Sequence, residues 1–249
     1  MSKNKVSLLI PTLNEIDGMR WYMPQLKKEW QDEIVVVDGG STDGTVEYCK
    51  EHGYKVVMQT SKGLTNAQDE ALQIMTGDII IMTTPDGNSL PQINPLLVEK
   101  INEGYDMVIA SRYLGGAKSE DDDIFTGFGN KLFTGMVNLF FGAKYTDSLV
   151  GLRAYRRDAI DKMRLCNQAQ QGWLRKRFNR MCSWEVCSSI RAAKLKLKVA
   201  EIPADEPKRI GGTRKMSIIM NGLGVLFEII EEFLTGKKFL KYSVAGRKQ

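Results

Sequence analysis

Val6-Ser7-Leu8-Leu9-Ile10 runs straight into Pro11-Thr12-Leu13-Asn14-Glu15, and Ile34-Val35-Val36-Val37 into Asp38-Gly39-Gly40-Ser41-Thr42-Asp43-Gly44. Each apolar run is short, rich in β-branched residues and closed by turn formers, as expected of a parallel strand buried on both faces. Further strands are predicted at 55–59, 79–82, 106–110 and 196–202. Helices are predicted at 16–30, 45–52, 64–75, from about 90 to 102, 130–141, 184–193 and 217–234. Alternating strands and helices predict an α/β fold with a mainly parallel, Rossmann-like sheet flanked by helices. In such sheets ligands bind beyond the carboxyl ends of the strands, which is where the polar segments after 10 and 37 fall.

With 249 residues, 43% hydrophobic and 26% charged, the chain can bury a full core. Its net charge of +5 conceals a division. Residues 1–125 hold 11 Lys+Arg against 20 Asp+Glu, and residues 126–249 hold 24 against 10. An acidic half able to hold a cation thus precedes a basic half suited to phosphate or an anionic surface. Cys49, Cys166, Cys182 and Cys187 show no CxxC spacing and read as reduced thiols, which points to the cytoplasm. No signal-peptide pattern opens the sequence. The apolar stretches 132–143 and 218–234 are interrupted by Asn138 and by Asn221, Glu228, Glu231 and Glu232, so neither reads as a membrane span.

Pro11, Thr12, Asn14 and Glu15, with Asp38, Gly39 and Ser41, could surround a base and ribose: carboxylates accept from N–H and hydroxyl groups, and glycine lets the backbone come close. Asp43 reads equally well as a helix cap. After the fourth strand comes Thr84-Pro85-Asp86-Gly87-Asn88, a strong turn sequence in any protein.

In their order and spacing over about residues 5–215, these motifs resemble the family 2 inverting glycosyltransferases of GT-A fold, and within them the dolichol-phosphate mannose synthase-like polyprenol-phosphate glycosyltransferases. The resemblance implies a domain over 1–215, with a nucleotide-binding half to about 112 and an acceptor half from 113. A C-terminal amphipathic helix and basic tail would occupy 216–249. It implies a nucleotide diphosphate sugar as donor, contacted by Pro11, Thr12, Asn14, Glu15, Asp38, Gly39, Ser41, Lys62, Gly63, Arg209 and Lys215. Arg209-Ile210-Gly211-Gly212-Thr213-Arg214-Lys215 is similar to the family's basic loop over the donor diphosphate. It further implies a divalent cation, Mg²⁺ or Mn²⁺, on Asp86 and Asn88. Here the sequence departs from the family pattern, since Thr84 stands where the first carboxylate of an Asp-X-Asp pair is usual. Ser111-Arg112-Tyr113 and the segment 147–156 are similar to the family's acceptor-side segments. They assign Arg112 and Arg153 to the phosphate of a polyprenyl phosphate, or either arginine to a structural ion pair. Glu185 stands where relatives with hydroxyl acceptors place a general base, whereas a phosphate acceptor needs none.

Two rivals are kept open: a same-fold transferase acting on a sugar hydroxyl of a glycan, and a degenerate non-catalytic binding module. Walker A, GxGxxG, HExxH and GxSxG motifs are absent from the sequence, and no aromatic-interleaved basic motif points to nucleic acid. The 216–240 segment predicts an amphipathic helix with Asn221, Glu228, Glu231 and Glu232 on its polar face and Lys237, Lys238 and Lys241 beyond it. It is expected to bind peripherally to an anionic membrane on the cytoplasmic side, or to pack on the domain or a second copy of the chain.

Overall fold

The structure is a computed structural model describing residues 4–168, 171, 175, 184–211 and 218–242. Strands β1 (Val6–Thr12), β2 (Glu33–Asp38), β3 (Lys55–Met58), β4 (Ile79–Met82), β5 (Met107–Ser111), β6 (Arg153–Arg156) and β7 (Val199–Pro203) form one sheet in the order β3-β2-β1-β4-β6-β5-β7. All neighbours are parallel except the two pairs made by β6. Thr12 lies opposite Asp38, Asp38 opposite Met58 and Leu9 opposite Met82, so β1 to β4 deliver their following loops to one edge. β4 and β5 are buried throughout, as the uninterrupted apolar runs predict.

Among the described residues the α-helices are α1 (Ile16–Tyr22), α2 (Thr45–Glu51), α3 (Leu64–Ile74), α4 (Ile93–Asn102), α5 (Ile124–Phe141), α6 (Arg157–Met163), α7 (Trp184–Leu195) and α8 (Ile218–Thr235). The single helix predicted over 16–30 stops at Tyr22. Pro24 has no N–H to continue the ladder, and two short 3-10 turns follow at Met23–Gln25 and Lys28–Trp30. Conversely, α5 starts at Ile124, ahead of the predicted 130, because Asp123 caps it. The Asp123 carboxylate accepts from Thr126 N–H while the Thr126 hydroxyl accepts from Asp123 N–H.

In α3, Asp69 is buried, and its Oδ2 accepts from Asn167 N–H at 2.7 Å. Burial pushes this carboxyl up to about 7, only partly opposed by bonds from Asn167 and Trp184. The folded state therefore holds the proton more tightly than the unfolded chain does. Asp69's contribution to stability is largest below its ordinary 3.8 and is lost as pH rises toward 7. Asp69→Asn, which keeps an acceptor for Asn167, is expected to raise the thermal midpoint at pH 8 and to converge on the unmodified protein toward pH 4. An offset independent of pH would show that Asp69 does not titrate in this window.

The amphipathic pattern leaves open which side of the C-terminal helix turns inward. Glu228, Glu231 and Glu232 face inward, with Arg175 at 3.2, 2.7 and 2.7 Å from them respectively. Arg191 and Lys194 of α7 reach Glu232 at 2.8 and 2.6 Å. Carboxylates can leave water when cations meet them, and the amphipathic pattern does not reveal that these cations lie beneath the helix. Val225 and Ile229 of the same inward side pack with Val137, Val186 and Ile190. Outward point Ile219, Met220, Leu223, Ile230, Phe233 and Leu234 instead.

Candidate active site

Asp38 organises the ends of β1 and β2. It is 0% exposed; Oδ1 accepts from Gly40 and Ser41 N–H, and Oδ2 from the hydroxyls of Thr12 (2.8 Å) and Ser41 (2.6 Å). The Ser41 hydroxyl in turn accepts from Asn14 N–H, and Asn14 Oδ1 accepts from Thr42 N–H. Asn14 is left-handed (φ 53°), a conformation asparagine adopts more readily than most residues. Glu15 is the N-cap residue of α1 and makes no side-chain capping bond; instead Asp43 Oδ2 accepts from Ile16 N–H. Its Oδ1 accepts from the N–H and hydroxyl of Thr45 at the start of α2. Thr12, Asp38 and Ser41 are thus tied together at the ends of β1 and β2, with both oxygens of the Asp38 carboxylate engaged by these neighbours. Gly39 abuts Gln59, and Pro11 lies on β1 opposite Val37. Gln59 donates to the carbonyls of Ser61 and Gly63, and Thr60 and Ser61 are tied to Glu70, so the Lys62-Gly63 turn is held beside Asp38 with Lys62 exposed.

Asp86, beyond β4, is 4% exposed. Oδ2 pairs with Arg209 Nη1 at 2.8 Å, while Oδ1 is buried without a partner. Asn88 lies one turn on, its Oδ1 accepting from the Thr84 hydroxyl at 3.3 Å. The Arg209 loop lies directly on this turn: Ile210 N–H donates to Asp86 O at 2.7 Å, and Ile210 covers Gly87 so closely that a Cβ there would come within 2.6 Å. Gly18 of α1 touches the Pro85 carbonyl; a Cβ would approach it to 2.0 Å. The β1 and β4 ends are thereby locked together beside a cleft of about 210 Å³ lined by residues 14–18, Asp43 and Ile210. Asp17 and Ile210 were not among the sequence candidates. The available signal was Gly18, a glycine inside a predicted helix, which marks a close backbone approach.

The acceptor-side arginines have other tasks. Arg112 grips Asp147 through Nε at 2.6 Å and Nη2 at 3.0 Å and reaches Glu206 at 3.3 Å. Burial alone would raise the Asp147 carboxyl, but Arg112 more than offsets this and holds it below the usual carboxylate range. Arg153 is 0% exposed and donates to the carbonyls of Val150, Ser148 and Glu185 and to the hydroxyls of Ser188 and Ser189. Arg112 thus makes the structural ion pair that was its alternative reading, while Arg153 is held by carbonyls and hydroxyls rather than by an acid. Glu185, at the start of α7, is buried with Gln68 Nε2 at 3.5 Å. Lys215 lies outside the described residues.

A family model described as glycosyl transferase family 2 matches residues 7–164. The chain belongs to this family. Among relatives of this transferase is the glycosyltransferase AglJ of Haloferax volcanii, 24% identical over 97% of this chain and 76% of its own. Another is the undecaprenyl-phosphate 4-deoxy-4-formamido-L-arabinose transferase of Klebsiella pneumoniae, 31% identical over 66% of this chain. A third is the dolichol-phosphate mannosyltransferase of Pyrococcus furiosus, 30% identical over 65% of it. The transferase spans only about half the length of the last two, 52% and 49%. Glucosyl-3-phosphoglycerate synthase of Mycobacterium tuberculosis, solved with Mn²⁺, UDP and phosphoglyceric acid, superposes with a TM-score of 0.63 at 20% identity, covering 93% of this chain and 79% of that one. The mixed seven-stranded sheet is thus the GT-A fold.

Proposed function

We propose that this transferase moves a sugar from a nucleotide diphosphate sugar to a polyprenyl phosphate at a bilayer surface, the acceptor phosphate attacking the anomeric carbon in line as the nucleoside diphosphate leaves. The observation that carries the acceptor is the outward face of α5 and α8. Ile124, Phe125, Phe128, Leu132, Leu139 and Phe140 are exposed on α5, and Ile219 and Phe233 on α8. Phe140 and Phe233 meet at 5.4 Å, and Phe133 lies against Gly222, so the helices run side by side as one apolar surface. α5 contains no acid, and the acids of α8 are turned inward; Lys131, Lys144, Lys237 and Lys238 are exposed in or just beyond the helices. A large apolar face edged by cations suits an anionic bilayer. No helix among the described residues is long and apolar enough to cross a membrane. Relatives that act on undecaprenyl phosphate and dolichol phosphate support the same acceptor class.

On the donor side, Thr12, Asp38 and Ser41 fix the wall against which Asn14, Glu15 and the Lys62 turn face the nucleotide. Arg209 supplies positive charge to the diphosphate. Asp86 and Asn88 fit a divalent cation, because Asp86 keeps a buried, unpartnered oxygen. Among the described residues no three acids, histidines or cysteines converge to hold a metal, so substrate oxygens would complete the set. When bound, Mg²⁺ or Mn²⁺ neutralises the charge growing on the leaving diphosphate. An anionic acceptor needs no base, and Glu185, packed against Gln68, orients rather than deprotonates. A soluble glycan acceptor is the reading the apolar face disfavours.

The test joins flotation with transfer. The protein is expected to float with liposomes containing phosphatidylglycerol and undecaprenyl phosphate, and to label the lipid from one member of a nucleotide-sugar panel. Replacing Phe125, Phe128 and Ile219 together by serine removes three side chains, each worth about 1.5–3 kcal/mol when fully buried. It should cut flotation more than tenfold at an unchanged thermal midpoint. Equal recovery with and without liposomes, with transfer to water-soluble glycans only, would overturn the proposal.

A further inference from the structure

We propose that Arg209 holds the cation's place on Asp86 until the donor arrives, so that metal and nucleotide sugar enter together rather than in sequence. This rests on the donor and cation reading above, and four observations carry it.

The Asp86 carboxylate is asymmetric, with Oδ2 on Arg209 Nη1 at 2.8 Å and Oδ1 buried and unpartnered. A divalent ion brought to Oδ1 therefore meets a guanidinium charge already seated on the same group, and like charges a few ångströms apart oppose each other strongly away from bulk water. Second, the arginine is not a loose surface side chain. Its neighbour Ile210 is hydrogen-bonded to the Asp86 carbonyl and pressed on Gly87, and Gly211 (φ 66°) sits where a Cβ would come within 2.9 Å of Asp17. Residues 209–211 are thus wedged between the β4 turn and α1.

Third, among the described residues Ile210 lines a cleft of about 210 Å³ at this edge, below the roughly 300–1,000 Å³ typical of small-molecule sites. A nucleotide diphosphate that fills this cleft displaces Ile210, and Arg209, its chain neighbour, moves with it. Fourth, Arg209 has somewhere to go: Asp121, in the acidic run before α5, lies 3.5 Å from Nη2, and the incoming diphosphate offers better acceptors for a guanidinium fork. The exchange conserves charge pairing. Arg209 passes from carboxylate to phosphate, and the freed Asp86 takes the cation that the same diphosphate also ligates. By linkage, the donor must then tighten metal binding as much as metal tightens donor binding.

The measurement is binding of Mn²⁺ alone, followed by the loss of free-ion EPR signal, to the full chain and to Arg209→Gln, Arg209→Lys and Asp86→Asn. Arg209→Gln is expected to bind Mn²⁺ about tenfold more tightly in the absence of nucleotide. Arg209→Lys, which keeps a cation, should stay near the unmodified protein. Added UDP or GDP should tighten Mn²⁺ binding more in the unmodified protein than in Arg209→Gln. Arg209→Ala substitutes if the glutamine variant does not fold. Unchanged or weaker Mn²⁺ binding by the neutral variants would overturn the exchange while leaving the cation reading intact. Unaltered Mn²⁺ binding on adding Asp86→Asn to Arg209→Gln would overturn the cation reading itself, and the exchange with it.

Discussion

Asp86→Asn is expected to lower transfer by about 10³-fold, the scale seen when a preorganised charge at a developing anion is removed. Thr84 cannot replace it, because its hydroxyl is shared between Asn88 and Ser89 and carries no charge. The fold should survive the change, since Arg209 is partly exposed and retains Asp121. The check is a transfer assay beside a thermal melt. Activity within a few-fold of the unmodified protein would sink the assignment of Asp86 to the diphosphate end of the donor.

Arg112→Met is expected to act the other way, on the fold before the chemistry. Asp147 is 0% exposed, and without the guanidinium it remains as a buried charge, a change that typically costs about 3–5 kcal/mol. Asp147 also accepts from Leu149 and Val150 N–H, so the damage would spread along the segment leading into β6. A lowered midpoint in urea would confirm this role. Unchanged stability with lost transfer would restore Arg112 to the acceptor phosphate.

These two residues mark what sequence could and could not reveal. The carboxyl ends of β1, β2 and β4 were legible, because strand runs closed by Pro11, Asp38 and Thr83 through Asp86 are local patterns. The family likewise followed from the order of those motifs. What was not local was lost. An arginine beside a strand reads equally as a phosphate ligand or a structural ion pair, and Arg112 is decided by Asp147, 35 positions away. Arg153 is decided by hydroxyls on α7. The inward face of α8 was undecided for the same reason. Periodicity separates an acidic side from an apolar one, but which side turns inward depends on Arg191 and Lys194 of another helix. The break at Pro24, by contrast, was present in the sequence and outweighed by the apolar spacing around it.

The buried carboxylates of α8 also alter where the polypeptide can be cut. An amphipathic tail that merely rests on a domain is detachable, and shortening the gene before codon 218 would then yield a free-standing core. In this protein the same deletion would strand Arg191, leave Lys194 without Glu232, and uncover Val137, Val186 and Ile190. Uncompensated interior charge and bared apolar surface are conditions under which chains precipitate rather than dissolve. Loss of liposome binding after such trimming would therefore report collapse of the protein, and only point changes on the outward face can separate adhesion from integrity.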